Sequence, residues 1–350
     1  MKQTVFAIAL IVVLPFSTAF SASDYDNGMS AYKAKNYAEA AKWFQAGAEK
    51  ADAASRYRLG MLYGRGLGIA KNTQKALTLH QLAADQGYVY ALYALGRHHL
   101  RGQPPQRDIE KANAYLTKAA SQGHAGAQFW LARINMSDRA LGLNLRQAAE
   151  WLEKAGTQGH RESQYLLGEL YRAGEGVDKN HETAAKWFEK AALQQHPKAL
   201  TAMGQAYLYR LGVDRDYKKA MEWFIKAAVK GDSMAQNSIG TMYVKGQGVP
   251  ANHQIAFSWF EQSAKNGNPV AQGNLGELYF RGKRGIPRSF EKAYLWNAVA
   301  VMTDKKTPML EQRSRQARSR ELAAKELTLE KLAELEQAVA RCWDQPKTCP

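Results

Sequence analysis

With 350 residues and a formal net charge of +16, the chain is long enough for two ordinary domains, and its surface attracts anions at range. Its two cysteines, Cys342 and Cys349, are too far apart for a CxxC redox or zinc motif. No HExxH, Cys-His cluster or Ser-x-x-Lys with supporting partners stands out, which argues against a metalloenzyme or a nucleophilic hydrolase.

Residues 1–22 read as a separate unit. Lys2 supplies a short positive start and Val5 to Phe16 an apolar run too short to span a membrane comfortably; Ser17 to Ser23 are small residues suited to cleavage after Ala19, Ser21 or Ala22. This is the pattern of a cleaved secretory signal peptide, and no cysteine lies nearby to carry a lipid. It predicts a periplasmic or secreted protein with no integral membrane span after cleavage.

Residues 23–52 hold one helix-hairpin pattern, GMSAYKAKNYAEAAKWFQAGAEK from Gly28, and from 53 to 303 a longer version returns every 36 positions. A small residue falls at Gly60, Gly96, Ala132, Gly168, Gly204, Gly240 and Gly276. A large one falls at Leu79, Tyr115, Trp151, Trp187, Trp223 and Trp259, then at Trp296 after one inserted residue. A fixed period of this length marks a stacked repeat, and it overrides the two-domain prior drawn from length.

Each column of the repeat has a physical task. Asn36, Asn72, Asp108, Asn144, Asn180, Asp216, Asn252 and Ser289 precede the second half as helix N-caps. Gly87, Gly123, Gly159, Gly231 and Gly267 close that helix, with Gln195 as the departure. The next helix then starts at Asp52, Asp232 or Asn268, or with Pro197 or Pro269 in its first turn. Gly66-Leu67-Gly68, Gly174-Glu175-Gly176 and Gly246-Gln247-Gly248 break the two halves apart, so one repeat is a helix hairpin. The small column lets helices approach, Leu59, Leu95, Leu131, Leu167, Met203, Ile239 and Leu275 fill the seam, and the Trp and Ala-Ala columns pack the second helix.

Residues 304–350 drop the period. Met309 to Leu327 and Leu329 to Trp343 have helical spacing, with Thr328 placed to cap the second, and together they predict a helical C-terminal cap over the last hairpin. In an oxidising compartment Cys342 and Cys349 are expected to pair, with Pro346 turning the chain back. The arginines of RSRQARSRE, Arg313, Arg315, Arg318 and Arg320, read as a solvated helix face.

LG-x-x-Y, G-x-G-V and K-A-x-x-W-x-x-K-A-A, carried by Leu167 to Tyr171, Gly174 to Val177 and Lys186 to Ala192, resemble the Sel1-like repeat family, a relative of the tetratricopeptide repeats. The resemblance covers seven repeats from Ala53 to Met302, and residues 23–52 resemble a tetratricopeptide repeat with a shorter loop. It implies an all-α, right-handed α/α superhelical solenoid of helix hairpins. The third copy departs most, with Ala132 for Gly, Asn135 for Tyr and no Gly-x-Gly in MSDRALGL. Sel1-like proteins discussed as β-lactam binders carry a cysteine pair in each repeat; this chain has none there.

By analogy with tetratricopeptide grooves, the binding face is made by the first helices, at positions three before and one, four and five after the small residue. The candidate partner-binding residues are Tyr57, Tyr93, Arg97, Arg101, Phe129, Arg133, Tyr165, Glu169 and Arg172. Aromatic planes interleaved with guanidinium groups suit a peptide or sugar that carries carboxylates or phosphates. The competing role for the rings is packing against the neighbouring helix. His124, His160 and His196 form their own column at a helix-cap position, so the histidines are expected to be structural and not to hold a metal. The reading is a non-catalytic scaffold that binds an envelope protein, without cofactor, metal or nucleic acid; the alternative is a module for an acidic polysaccharide or another envelope polyanion.

Overall fold

The computed structural model describes residues 23–101, 108–137, 144–283, 285–303 and 310–349. The expected signal peptide and the irregular loop of the third repeat lie outside them, as does the start of the tail. Among the described residues are eighteen α-helices, with one isolated bridge, Lys283 to Ile286, as the sole β pairing. They follow one another as hairpins: α1 (Asp24–Lys33) with α2 (Tyr37–Glu49), α3 (Ala53–Arg65) with α4 (Thr73–Asp85), α5 (Val89–His99) with α6 (Ile109–Ser121). Then come α7 (Ala125–Ser137) and α8 (Leu145–Thr157), α9 (Arg161–Ala173) and α10 (His181–Leu193), α11 (Pro197–Tyr209) and α12 (Tyr217–Ala228). The series ends with α13 (Ser233–Lys245) and α14 (His253–Lys265), α15 (Pro269–Arg281) and α16 (Phe290–Thr303), and a final pair, α17 (Leu310–Ala324) and α18 (Leu329–Asp344). The chain divides into two compact units, residues 1–127 and 128–350, with the division inside α7.

The helices begin where their caps say they should. Asn72, Asn144, Asn180 and Asp216 each accept the backbone N–H three residues on, as do Asp52, Asp232 and Asn268 at the first helices. The histidine column does the same work. Nδ1 of His124, His160 and His196 accepts from Ala127, Ser163 and Ala199 at 3.1, 3.2 and 3.2 Å. A ring nitrogen that accepts an N–H carries no proton, so each cap requires the other tautomer. His196 places its Nε2 2.9 Å from the Glu162 carboxylate.

The glycine and alanine columns set the spacing. A Cβ on Gly168, Gly204 or Gly240 would fall 2.6, 2.5 and 2.6 Å from the rings of Phe188, Phe224 and Phe260, the residues just after the tryptophan column. The same relation joins Gly28 to Phe44, Gly60 to His80, Gly96 to Leu116 and Gly276 to Asn297. The hairpin of residues 24–49 is therefore the same device with four residues removed from its loop. Ala132, the one alanine of the column, is buried in one core cluster with Leu152, the residue that follows Trp151.

The tryptophans themselves lie further out than the sequence suggests. Trp151, Trp223 and Trp259 are half-buried, and the lysine one turn on covers the ring: Lys154 on Trp151 at 4.4 Å, Lys190 on Trp187 at 4.1 Å, Lys226 on Trp223 at 4.3 Å. The alanine pairs are buried as expected, Ala191 and Ala192 completely. A further tie between repeats had no obvious signature. Gln164, Gln236 and Gln272 donate to the carbonyls of Gly156, Ala228 and Ala264, at the end of the preceding second helix, and Arg56 donates to Ala48 in the same way. Gln194 and Asn266 then donate to Gln164 and Gln236. These bonds satisfy carbonyls that a helix C-terminus leaves open.

The tail forms the expected helical pair. Thr328 caps α18 by accepting from Lys331 at 3.2 Å. Gln316 of α17 donates to the Pro269 carbonyl at 3.0 Å, and its side chain fills the space beside Gly273. Tyr294 of α16 donates to Glu336 of α18, and Leu335, Val339 and Cys342 join the core of the last hairpin. Cys342 and Cys349 form a disulfide, their Cα atoms 5.2 Å apart. Both are buried in that same cluster.

Candidate partner-binding face

Positions three before and one after the small residue are four apart, so they share one side of each first helix. In the first unit this side carries Tyr57 on α3 and Tyr93 and Arg97 on α5, with Arg101 exposed just past the helix end. Arg97 donates from Nη1 to the Tyr93 hydroxyl at 2.9 Å, and its guanidinium lies 5.8 Å from that ring. In the second unit it carries Phe129 and Arg133 on α7 and Tyr165, Glu169 and Arg172 on α9.

The ring column has a structural partner: the cap residue that opens the next first helix. Tyr93 stacks on His124 at 4.3 Å, Tyr165 on His196 at 4.5 Å, and Phe129 lies against His160 at 4.7 Å. Phe129 is thereby buried, 9% exposed, and takes no part in a surface. Tyr57, Tyr93 and Tyr165 remain half-exposed. Burial pushes the Tyr165 hydroxyl up to about 12, so it stays protonated and able to donate throughout the physiological range.

The first unit breaks this pattern at one place. The cap position of α5 is Tyr88, which makes no side-chain cap bond, although losing a cap of this kind costs about 1 kcal/mol. Its ring packs instead 5.6 Å from Tyr57 and 5.6 Å from Tyr90, while Tyr57 and Tyr90 are 6.0 Å apart. Tyr90 in turn meets His124 edge-on at 5.5 Å, and Tyr57 meets His80 at 5.3 Å. Six rings from α3, α4, α5 and the α7 cap thus form one cluster, and Tyr90, 49% exposed, presents it to solvent. Burial raises Tyr57, carries Tyr88 up to about 12, and lowers His80 and His124. Arg58 lies 5.9 Å from the Tyr57 ring, and its Nε is buried with no hydrogen-bond partner among the described residues. Tyr88, Tyr90 and Arg58 were not among the expected residues. The signal was there: a tyrosine in a column otherwise filled by Asp, Asn or His.

In the second unit two arginines on this side are held in ion pairs. Arg172 grips Glu169 through two bonds of 2.7 and 3.1 Å, which raises the arginine pKa further. Arg281 donates to Glu277 through its Nε. Arg133 is exposed. Among the described residues no group of three or more His, Cys, Asp and Glu is placed to hold a metal ion, and no helix is long and apolar enough to cross a membrane.

The Sel1 repeat family model matches residues 25–52, 53–88, 89–124, 125–160, 161–196, 197–232, 233–268 and 269–296. The chain belongs to the Sel1 repeat family. The short first hairpin is matched as a Sel1 repeat along with the seven longer copies. Among solved structures the chain is similar to a protective antigen present in uropathogenic Escherichia coli strains displaying an SLR fold. The two share 30% identity and a TM-score of 0.79, over 92% of this chain and 68% of that one. It is also similar to a Sel1 repeat protein from Oxalobacter formigenes, with 27% identity and a TM-score of 0.59 over 90% of this chain and 86% of that one. No curated protein sequence matches it at significance. The fold class is thus the all-α solenoid of Sel1 repeats, a family that generally mediates protein–protein interaction and is generally non-catalytic.

Proposed function

We propose that this Sel1 repeat protein is a non-catalytic scaffold of the bacterial cell envelope, periplasmic or secreted, which holds a protein partner on its first-helix face. The observation that carries this reading is the cluster of Tyr57, Tyr88, Tyr90 and Tyr93 with Arg58 and Arg97. Tyrosine and arginine are enriched among the few residues that dominate binding energy at protein interfaces, because each offers a large apolar surface together with hydrogen-bond donors. Tyr165 and the Glu169–Arg172 pair extend the same column in the second unit. The leader pattern of residues 1–22 supports export, and a disulfide at the C-terminus suits an oxidising compartment.

Cell fractionation followed by crosslinking and affinity capture tests the reading. The wild type is compared with a Tyr90→Ala, Arg58→Gln variant whose helicity is verified by circular dichroism. Recovery of one envelope protein by wild type and its loss in the variant is the expected result. Retention of the chain in the cytosol, or equal recovery by both forms, contradicts it. A second reading, an acidic polysaccharide as ligand, draws on the excess of arginine over carboxylate on the same helices; salt-sensitive retention of glycan with no protein partner would favour it.

A further inference from the structure

A repeat lets one position be compared across its copies, and the outer ends of α10 and α12 depart from the rest. Where these two copies carry Leu193 and Val229, the others carry Glu49, Asp85, Ser121, Thr157 and Lys265. Ile225, one turn before Val229 on the same side of α12, stands where the copies on either side carry Glu189 and Glu261. Leu193 is 68% exposed and Val229 81%, and Ile225 is exposed as well. Gln194 donates to the Gly159 carbonyl one repeat earlier at 3.1 Å, so successive turns lie side by side along one edge of the second unit. Lysines flank the aliphatic groups: Lys226 follows Ile225, Lys230 follows Val229, and Lys190 and Lys198 stand on either side of Leu193, all four exposed. Lys190 and Lys226 lie over Trp187 and Trp223, which holds their stems down beside the aliphatic side chains. Of the nearby acids, Glu182 binds Lys186, Asp216 binds Lys219 and Asp232 caps α13, while Glu189 and Glu222 lie about one and two turns back from the edge. Past Gly231 lies an open cleft of about 610 Å³ between the turns at Gly231 and Gly267 and the C-terminal Pro346 and Lys347. Trp343 is exposed at the end of α18, just ahead of that tail.

We propose that this edge of the second unit seats the protein on an anionic phospholipid bilayer. Leu193, Ile225 and Val229 enter the headgroup layer, and Lys190, Lys198, Lys226 and Lys230 meet the lipid phosphates. The inference goes beyond the partner-binding reading and uses none of its residues. The form of the edge decides for a bilayer over a folded protein: aliphatic side chains stand out singly from helix ends, and a fluid interface takes such groups at any spacing, whereas a protein needs a hollow to match each one. A phosphate-bearing polymer without an apolar phase would meet the lysines and leave the aliphatic groups in water.

Sedimentation of the protein, as purified from cells, with lipid vesicles tests the proposal, the vesicles being phosphatidylcholine alone or mixed with an equal share of phosphatidylglycerol. The wild type is expected to bind the anionic vesicles about tenfold more tightly than the neutral ones, and to release them in high salt. Leu193→Ser with Val229→Ser, and separately Lys226→Gln with Lys230→Gln, should each weaken that binding by about tenfold. All four side chains are exposed, so neither pair of changes disturbs the core. Leu82→Ser, at an exposed leucine of the first unit, should change nothing. Equal binding to both vesicles, no binding to either, or anionic binding that both paired variants retain would overturn the inference. So would a concentration-dependent dimer of the wild type that Leu193→Ser with Val229→Ser dissolves, since a second copy would then cover the edge. Each of these outcomes leaves the first-helix partner reading standing.

Discussion

The two units build their first helices on one template and dress the exposed side differently. One position after the small residue stand Met61 and Arg97 in the first unit, and Arg133, Glu169, Gln205, Thr241 and Glu277 in the second. Each of these glutamates engages an arginine three or four residues on, Arg172 and Arg281, whereas the most exposed residue of the first unit's aromatic cluster is the ring of Tyr90. The knobs that fill the small column vary within both units: Phe44, His80 and Leu116 in the first, Phe188, Phe224, Phe260 and Asn297 in the second. A few side-chain changes on a repeat of fixed backbone are enough to exchange a paired charge for an exposed aromatic surface.

Four changes sharpen this contrast, the largest in packing. Gly204→Ala pushes a methyl into the rigid Phe224 ring and is expected to cost about 2 to 3 kcal/mol in urea unfolding. Gly96→Ala should cost less, because Leu116 can change rotamer, as Leu152 beside Ala132 already illustrates. Equal costs would refute the account of the small column. Next is Tyr90→Ala, which removes the exposed ring of the aromatic cluster and should weaken binding of the protein partner by about tenfold, read by fluorescence anisotropy. Met234→Ala, at the matching position of the second unit, should not weaken it. His80→Phe follows: a buried, unpartnered Nε2 is exchanged for the ring used in other copies, which should stabilise the protein by about 1 kcal/mol and raise Tm by a few degrees. No change or a loss would show that His80 is satisfied.

The smallest effect concerns pH. Burial holds His80 and His124 below the ordinary histidine range, so below about pH 6.5 the unfolded chain takes up protons that the folded chain refuses. Stability should therefore fall as pH drops from there until the folded pKa values are passed. His124→Asn keeps an acceptor at the cap and should flatten part of that slope, measured as the urea midpoint at neutral and mildly acid pH. A midpoint unchanged between the two conditions would contradict the assignment.

Most of the architecture was legible because a repeat states its physics several times over. Asn and Asp at the caps, glycine at the left-handed closures and Gly-x-Gly between halves each have one local cause, and the exception at Gln195 has a φ of 61° as its position requires. The histidine column was readable for the same reason. Contacts between columns were less so. Nothing local separates Trp187 from Phe188, yet the first carries a lysine and the second fills the space over Gly168. The binding face was half legible: Tyr57, Tyr93 and Arg97 share a side by spacing alone, but the burial of Phe129 and the recruitment of Tyr88 and Tyr90 depend on which ring meets which cap in the following repeat.

The central claim is that the partner meets the first unit's face. Tyr90 and Met234 occupy the same column four repeats apart and are about equally exposed, 49% and 52%. A photo-crosslinking amino acid placed at each position in turn, in intact cells, compares the two faces directly. The account predicts one discrete protein adduct from position 90 and none from position 234. Adducts from position 234 alone, or the same adduct from both, would contradict it.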